Sequence, residues 1–406
     1  MKNNFIEVPQ GFLFAAAEAG LRTHGSGPDV ALLYSTVPAR VAALFTTNRV
    51  KAAPVLISQE HWKRSRRIAQ AIVVNAGNAN CATGRAGLRA ARQCAEAAGK
   101  LLGVRNEQVL VASTGVIGVP LDARRITEQL PALARRLHPE GYEAVSRAIL
   151  TTDTHPKVAG KSLPIGGRRV RILGMAKGAG MIYPRLATML AFFFTDAAVE
   201  PRFLQSAARR MCDASFNRIS VDGDTSTNDT VFLMANGTAG NPAIGKQDAA
   251  AEKFLQALEE VAQGLAIALV RDGEGARKLA EIRVEGASSA KQADAIARSI
   301  ALSSLVKTAF AGGDPNWGRI LSAVGNAGVE FDPNRVNIFL NGTRVCRRGG
   351  AADYDEPALQ RELQARELQA KDILLRVQMG QGKAAARFWT CDFTEEYVRI
   401  NASYRT

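Results

Sequence analysis

The sequence is poor in the residues that announce metal, redox or membrane chemistry. Its 406 residues include five cysteines and four histidines. Cys81, Cys94, Cys212, Cys346 and Cys391 form no CxxC pair, lie far apart and are odd in number, so reduced thiols are expected and a disulfide framework is not. His24, His61, His138 and His155 are too few for a zinc site, and no metal is expected. Long apolar runs are missing too. Nothing approaches the ~18 continuous apolar residues of a membrane span. Phe12-Leu-Phe-Ala-Ala-Ala17 is preceded by Glu7 and Pro9 and interrupted by Glu18, which argues against a signal peptide. The expectation is a cytoplasmic protein with no membrane partner.

Nucleotide and calcium motifs are incomplete. Gly178-Ala-Gly180 has Tyr183 where a dinucleotide fingerprint needs its third glycine, and Gly380-Gln-Gly-Lys383 lacks the spacing and the following hydroxyl of a P-loop. An EF-hand starting at Asp222 would need Gly and Glu where Thr227 and Leu233 stand. No cofactor is implied. Tandem repeats and low-complexity linkers are absent as well.

What is present is an ordinary globular composition, 47% hydrophobic and 22% charged, in a chain long enough for two or three domains. Lys and Arg outnumber Asp and Glu by 52 to 38, a net charge of +14. The positive runs, Lys63-Arg64 with Arg66-Arg67 and Arg168-Arg169 with Arg171, are short and carry no interleaved aromatics, so they read as solvated surface and no nucleic-acid partner is expected. Periodicity predicts helices over Gly87–Leu102, Leu121–Leu137, Glu200–Cys212, Asp248–Val270, Ala290–Leu302 and Glu356–Gln369. Strands are predicted over Val109–Ser113, Val170–Leu173, Thr188–Thr195, Leu279–Val284, Val336–Leu340, Ile373–Gln378 and Ala386–Cys391. The pattern is α/β, with sheets covered by helices. Junctions are expected near Lys246-Gln-Asp and at Gly286-Ala-Ser-Ser.

The segment Met175-Ala-Lys-Gly-Ala-Gly-Met-Ile-Tyr-Pro-Arg-Leu-Ala-Thr-Met-Leu190 puts Ala187-Thr188 at the mouth of an apolar run. By pattern alone it is a Gly-Pro loop feeding a buried strand. A threonine hydroxyl becomes a useful nucleophile when a base is adjacent, and cutting the chain before it supplies one, its own α-amine. Four further blocks stand out. Val73-Val-Asn-Ala-Gly-Asn-Ala-Asn-Cys81 runs from a strand into an amide-rich loop. Val109-Leu-Val-Ala-Ser-Thr-Gly-Val-Ile-Gly118 is a strand ending in a turn where a hydroxyl and a glycine N–H can point the same way. Phe216–Thr230 is dense in carboxylates, amides and hydroxyls. In Gly313-Asp-Pro-Asn-Trp-Gly-Arg-Ile320, Asp314 is expected to cap a helix that begins at Pro315.

These five blocks, in this order, resemble the ornithine acetyltransferase (ArgJ) family almost end to end. The resemblance implies a layered α-β-β-α sandwich of the amino-terminal-nucleophile type over residues 1–286 and a smaller carboxy-terminal α/β domain over 287–406. It implies self-cleavage between Ala187 and Thr188 into α and β chains that associate, as α2β2. Thr188 would be the nucleophile, Thr114 and Gly115 the oxyanion hole, and Thr154, Lys177, Thr188, Glu274, Asn401 and Thr406 the substrate contacts. The implied reaction moves an acetyl group from N2-acetylornithine to glutamate by ping-pong exchange, with acetyl-CoA an additional donor in some members. Two departures stand in the cleavage motif: Ala179 replaces a serine, and Arg185-Leu186 replaces Asn-Met. Two alternatives use the same residues differently: a hydrolase of related fold that passes the acyl group to water, and a non-catalytic basic binding protein.

Overall fold

The computed structural model describes residues 6–22, 26–183, 189–245, 248–364 and 372–403. The chain divides into two compact units, one formed mainly by residues up to Asn217 and by Asp224–Leu269, the other by Arg218–Gly223 and the chain from Val270. The strands, in chain order, are β1 Phe12–Ala17, β2 Val30–Phe45, β3 Ile68–Asn75, β4 Val109–Ser113, β5 Lys157–Ile165, β6 Arg168–Lys177 and β7 Leu190–Thr195. They continue with β8 Ile219–Ser220, β9 Thr230–Ala235, β10 Leu279–Ala287, β11 Asn337–Leu340, β12 Thr343–Arg347, β13 Gly350–Ala351, β14 Ile373–Gln378 and β15 Ala384–Cys391.

In the first unit β2 serves two layers. Val30–Tyr34 of β2 pairs with β1 and β3, and Arg40–Phe45 pairs with β9, with a break in register between Tyr34 and Ala39 where the strand bends. The path β4-β3-β2-β9-β7-β6-β5 therefore folds back on itself. Alternation does the rest, because a strand buried on both faces sends successive side chains to opposite sides. Phe192 and Phe194 of β7 turn inward, and Phe194 meets Phe12 and Phe14 of β1 edge to face at 5.1 and 5.0 Å, joining strands that share no ladder. Each such pair is worth about 0.5–1.5 kcal/mol beyond the area it buries. Phe193 turns outward, toward Val261 and Leu265 of the helix Ala249–Arg271. On the outer side of the other layer, Ala90, Ala91, Cys94, Ala95 and Ala98 of the helix Gly84–Leu102 pack on Val30, Leu32, Ala71 and Val73. Helix, sheet, sheet, helix is thus the layering of this unit.

The second unit has its own seven-stranded sheet, ordered β13-β12-β11-β14-β10-β15-β8. Ile282, Val284, Leu375, Val377 and Phe388 on its strands pack against Ile296 and Ile300 of the helix Ala290–Leu302. The compact units separate before Val270, ahead of the expected junction at Gly286, because β10 is ladder-paired on both sides, with β14 and β15.

Two local expectations give way. Leu121–Leu137 is not one helix but two, Ala123–Thr127 and Leu130–Arg135, since Pro131 has no N–H to continue the first. The cap near residue 314 is Asn316, whose side chain accepts from Arg319 N at 3.0 Å, and the helix runs Trp317–Gly325. The preceding helix ends only at Gly312, so Asp314 and Pro315 are used in the turn, and Asp314 instead accepts from Asn316 Nδ2. The strand expected from Thr188 is described from Leu190, and the helix expected to Gln369 from Glu356 to Gln364. Ala187, Thr188, Arg185, Thr406 and the Lys246-Gln part of the first junction lie outside the described residues. All five cysteines are free and buried, and among the described helices none is long and apolar enough to cross a membrane.

Candidate active site

Parallel pairing sets Asn75 of β3 opposite Ser113 of β4, so the two Asn/Gly and Ser-Thr-Gly loops leave the sheet side by side. Buried amides then lock them. Asn75 accepts from Ser113 Oγ at 2.6 Å and donates to Asn78 O at 2.9 Å, while Asn228 Nδ2 donates to Ala79 O and Ser113 O at 2.7 and 2.8 Å. Each of these groups would be costly to bury unpaired.

The turn that follows is tight. Thr114 N–H donates to Asn75 O at 3.0 Å. Gly115 has φ +128°, and a Cβ there would lie 2.3 Å from the Gly77 carbonyl carbon, so no other residue fits. Among the described residues the Gly115 N–H meets no acceptor. With Thr114 N–H committed to the backbone, the polar groups this turn can offer a ligand are the Thr114 hydroxyl and the Gly115 N–H.

Lys177, the last residue of β6, reaches this turn. Its Nζ lies 3.3 Å from Thr114 Oγ1 and 2.7 Å from Thr151 Oγ1. Thr114 Oγ1 accepts there, which leaves its own hydrogen free to be donated elsewhere. Lys177 is only 3% exposed. Asp153 Oδ2 stands 3.6 Å from the same ammonium, and Asp153 Oδ1 accepts from Lys157 Nζ at 2.7 Å and from Gly178 N–H at 2.6 Å. The Asp153 and Lys157 side chains have no exposed surface. Burial alone would push the Asp153 carboxyl up, but the two ammonium groups and the Gly178 N–H outweigh it and hold the carboxyl well below the usual range. Thr154 sits on the same loop, exposed, with its hydroxyl 3.0 Å from His155 Nδ1.

The other end of the 178–189 connection is held in a similar way. Leu190 pairs with Lys177 on one side and with Thr230 on the other, which sets Met189 beside Asp229. Asp229 Oδ1 accepts from Met189 N–H at 2.8 Å.

Glu274 and Asn401 come together inside the second unit. Asn401 Nδ2 donates to Glu274 Oε2 at 2.8 Å, from the helix Glu395–Ser403. Gly275, φ +70°, allows that helix to approach, since a Cβ there would meet Tyr397 N at 2.4 Å. Glu274 is 7% exposed, a buried carboxylate whose free lone pairs suit a cation.

A model of the ArgJ family matches residues 13–406. The chain belongs to the ArgJ family. ArgJ relatives match over nearly the whole length: the arginine biosynthesis bifunctional protein ArgJ of Symbiobacterium thermophilum is 47% identical, covering 99% of this chain and 98% of the relative. The protein of the same name from Geobacter sulfurreducens is 45% identical, covering 98% and 99%. The crystal structure of the Bacillus halodurans ArgJ protein is 37% identical, covering 52% of this chain and 96% of that one, with a TM-score of 0.49. As an ArgJ protein the chain is an acyltransferase.

The motifs and the family resemblance point to Thr114, Gly115, Thr154, Lys177, Glu274 and Asn401, and do not mark Asp153, Lys157, Thr151 or Asp229. In sequence, Asp153 and Lys157 are a charged pair four residues apart in a polar stretch, the usual mark of a solvated surface. Lys157 opens β5 opposite Ala176 of β6, which takes it and its partner Asp153 out of solvent.

Proposed function

We propose that this ArgJ protein is a self-processing glutamate N-acetyltransferase of arginine biosynthesis. It cuts its own chain between Ala187 and Thr188, and Thr188 becomes the nucleophile. The reaction begins when Thr188 Oγ attacks the acetyl carbonyl of N2-acetyl-L-ornithine and the Thr188 α-amine takes the hydroxyl proton. The Thr114 hydroxyl and the Gly115 N–H donate to the developing oxyanion, where one such donor is typically worth about 100-fold to 1000-fold in rate. Breakdown of the tetrahedral species cleaves the C–N bond, returns the proton to the leaving amine and releases L-ornithine. The amine of L-glutamate then attacks the acetyl-Thr188 ester, giving N-acetyl-L-glutamate and the free enzyme. An amide is exchanged for an amide, so no energy source is needed. Acetyl-CoA can load the same hydroxyl.

Lys177 takes a substrate carboxylate, Thr154 and Thr406 add polar contacts, and Glu274, held by Asn401, takes an ammonium. The two chains stay associated, as α2β2. The observation that carries this reading is the meeting of Lys177 with Thr114 beside the Gly115 N–H, at the start of the segment that leads to Thr188.

Denaturing intact-mass measurement tests it. Two chains parting at Ala187-Thr188, with one acetyl group gained by the carboxy-terminal chain on mixing with N2-acetylornithine, are expected. Loss of that acetyl group to water at the rate seen with glutamate would favour a hydrolase. Formation of N-acetylglutamate from acetyl-CoA and glutamate alone tests the second donor.

A further inference from the structure

Lys177 is an ammonium in a place where an ammonium is costly. Burial without a counter-ion lowers a lysine pKa by as much as several units from ~10.4, and a neutral amine would attract a carboxylate far more weakly. The residues around it are arranged to prevent this. Asp153 stands 3.6 Å from Lys177 Nζ, and its other oxygen is pinned by Lys157 Nζ at 2.7 Å. Lys157 also reaches His155 O at 3.3 Å, so the cation that fixes Asp153 is itself anchored to the loop. Thr151 N–H donates to Asp153 Oδ2 at 3.2 Å, and Gly178 N–H donates to Oδ1 at 2.6 Å. One carboxylate therefore ties the loop carrying Thr151 and Thr154 to the end of β6, and faces two ammonium groups.

We infer that Asp153, pinned by Lys157, is a positioning residue that keeps Lys177 charged and aimed at Thr114 and Thr151. This rests on the proposed role of Lys177 as receptor for the carboxylate of an amino-acid substrate. Asp153 itself has a side chain without exposed surface, so it acts through Lys177 and not on the substrate. Two titratable groups on the adjoining described segments have partners of their own. Asp229 holds Met189 N–H, and the exposed imidazole of His155 bonds the Thr154 hydroxyl.

A plain structural ion pair predicts something different. Replacing such a buried pair by neutral groups of similar size is often tolerated and changes stability alone. A counter-ion for Lys177 predicts a changed pH dependence of substrate capture.

The experiment uses the purified, self-processed enzyme and measures KM and kcat for glutamate with N2-acetylornithine saturating, between about pH 6 and 9. Three forms are compared with the parent: Asp153→Asn, the double variant Asp153→Asn/Lys157→Met, and Lys177→Met. The double variant removes Lys157 together with Asp153, so no unpaired Lys157 ammonium is left buried and Lys177 alone loses its counter-ion; it serves where Asp153→Asn fails to fold. With the counter-ion gone, Lys177 loses its proton at lower pH, and KM should climb about tenfold per pH unit from a point at least one unit below the parent. The kcat profile should move less than the KM profile. A double variant whose KM profile superimposes on the parent, with only its thermal stability changed, overturns the inference. If Lys177→Met raises KM and the double variant still superimposes, Lys177 remains the receptor and only the role of Asp153 is lost. If Lys177→Met leaves KM at the parental value, both the reading of Lys177 and this inference fall.

Discussion

Asp229 Oδ1 accepts the N–H of Met189 at 2.8 Å, which fixes the backbone directly after the residue proposed as nucleophile. The carboxylate is 2% exposed, and its own N–H and C=O neighbours are tied into the sheet, with Thr230 N donating to Met189 O at 3.1 Å and Thr46 N to Asp229 O at 2.9 Å. A hydrogen bond to a buried carboxylate contributes about 1.5–3 kcal/mol. Asp229→Ala should slow self-cleavage by roughly ten- to a hundredfold. The rate at which precursor disappears on a denaturing gel after purification measures this, and an unchanged rate removes Asp229 from the processing step.

Thr188→Ala should leave a single uncut chain with no acetyl transfer, because nucleophile and base are lost together. Transfer at the parental rate by the uncut variant would mean that another hydroxyl carries the acetyl group.

The Thr114–Gly115 turn separates chemistry from folding. Thr114→Val keeps the shape and removes the hydroxyl, so kcat should fall by about 100-fold to 1000-fold with little change in melting temperature. Gly115→Ala should instead unsettle the fold, since a methyl group would lie 2.3 Å from the Gly77 carbonyl carbon at φ +128°. Backbone strain of this kind costs about 1–3 kcal/mol before the clash is counted. Circular dichroism melts of the two variants check the contrast, and equal melts with equal activity would contradict it.

Asp153 gives the protein a pH dependence of known sign. Its carboxyl is held below the usual range in the folded state, after two ammonium groups overcome the effect of burial. The unfolded chain binds the proton more readily, so the stabilisation is present above about pH 4 and is lost as pH falls through the folded value. The difference in melting temperature between the parent and Asp153→Asn/Lys157→Met should therefore shrink as pH is lowered from about 5 toward 3. A difference that stays constant would show that the pair contributes nothing of this kind.

Much of the layered core was legible in the sequence. Val109–Ser113, Ala290–Leu302 and Ile373–Gln378 fall where periodicity puts them, because each shows one uninterrupted pattern bounded by turn residues. The failures have local causes. Pro131 divides a helix that its apolar spacing would continue, and the turn through Asp314 and Pro315 postpones the next helix to Trp317. The double role of β2 could not be read, since its bend comes from pairing with strands distant in sequence: β3 follows it as far as Arg40, and β9 takes over from Arg40 to Phe45.

The same division holds at the site. By itself the sequence determined which residue types were available: a Ser-Thr-Gly turn that only glycine can complete, a lysine ending a strand, and an Ala-Thr pair opening an apolar run, because these depend on backbone preferences carried by a few neighbouring residues. Only the tertiary structure decided that Asp153 is shared by Lys157 and Lys177, that Thr114 accepts from Lys177, and that Asp229 holds Met189. Those contacts join residues from 4 to 63 positions apart through the pairing of β3 with β4, β5 with β6 and β7 with β9. A charge reads as surface in one dimension and becomes a buried counter-ion only when strand pairing removes the water around it.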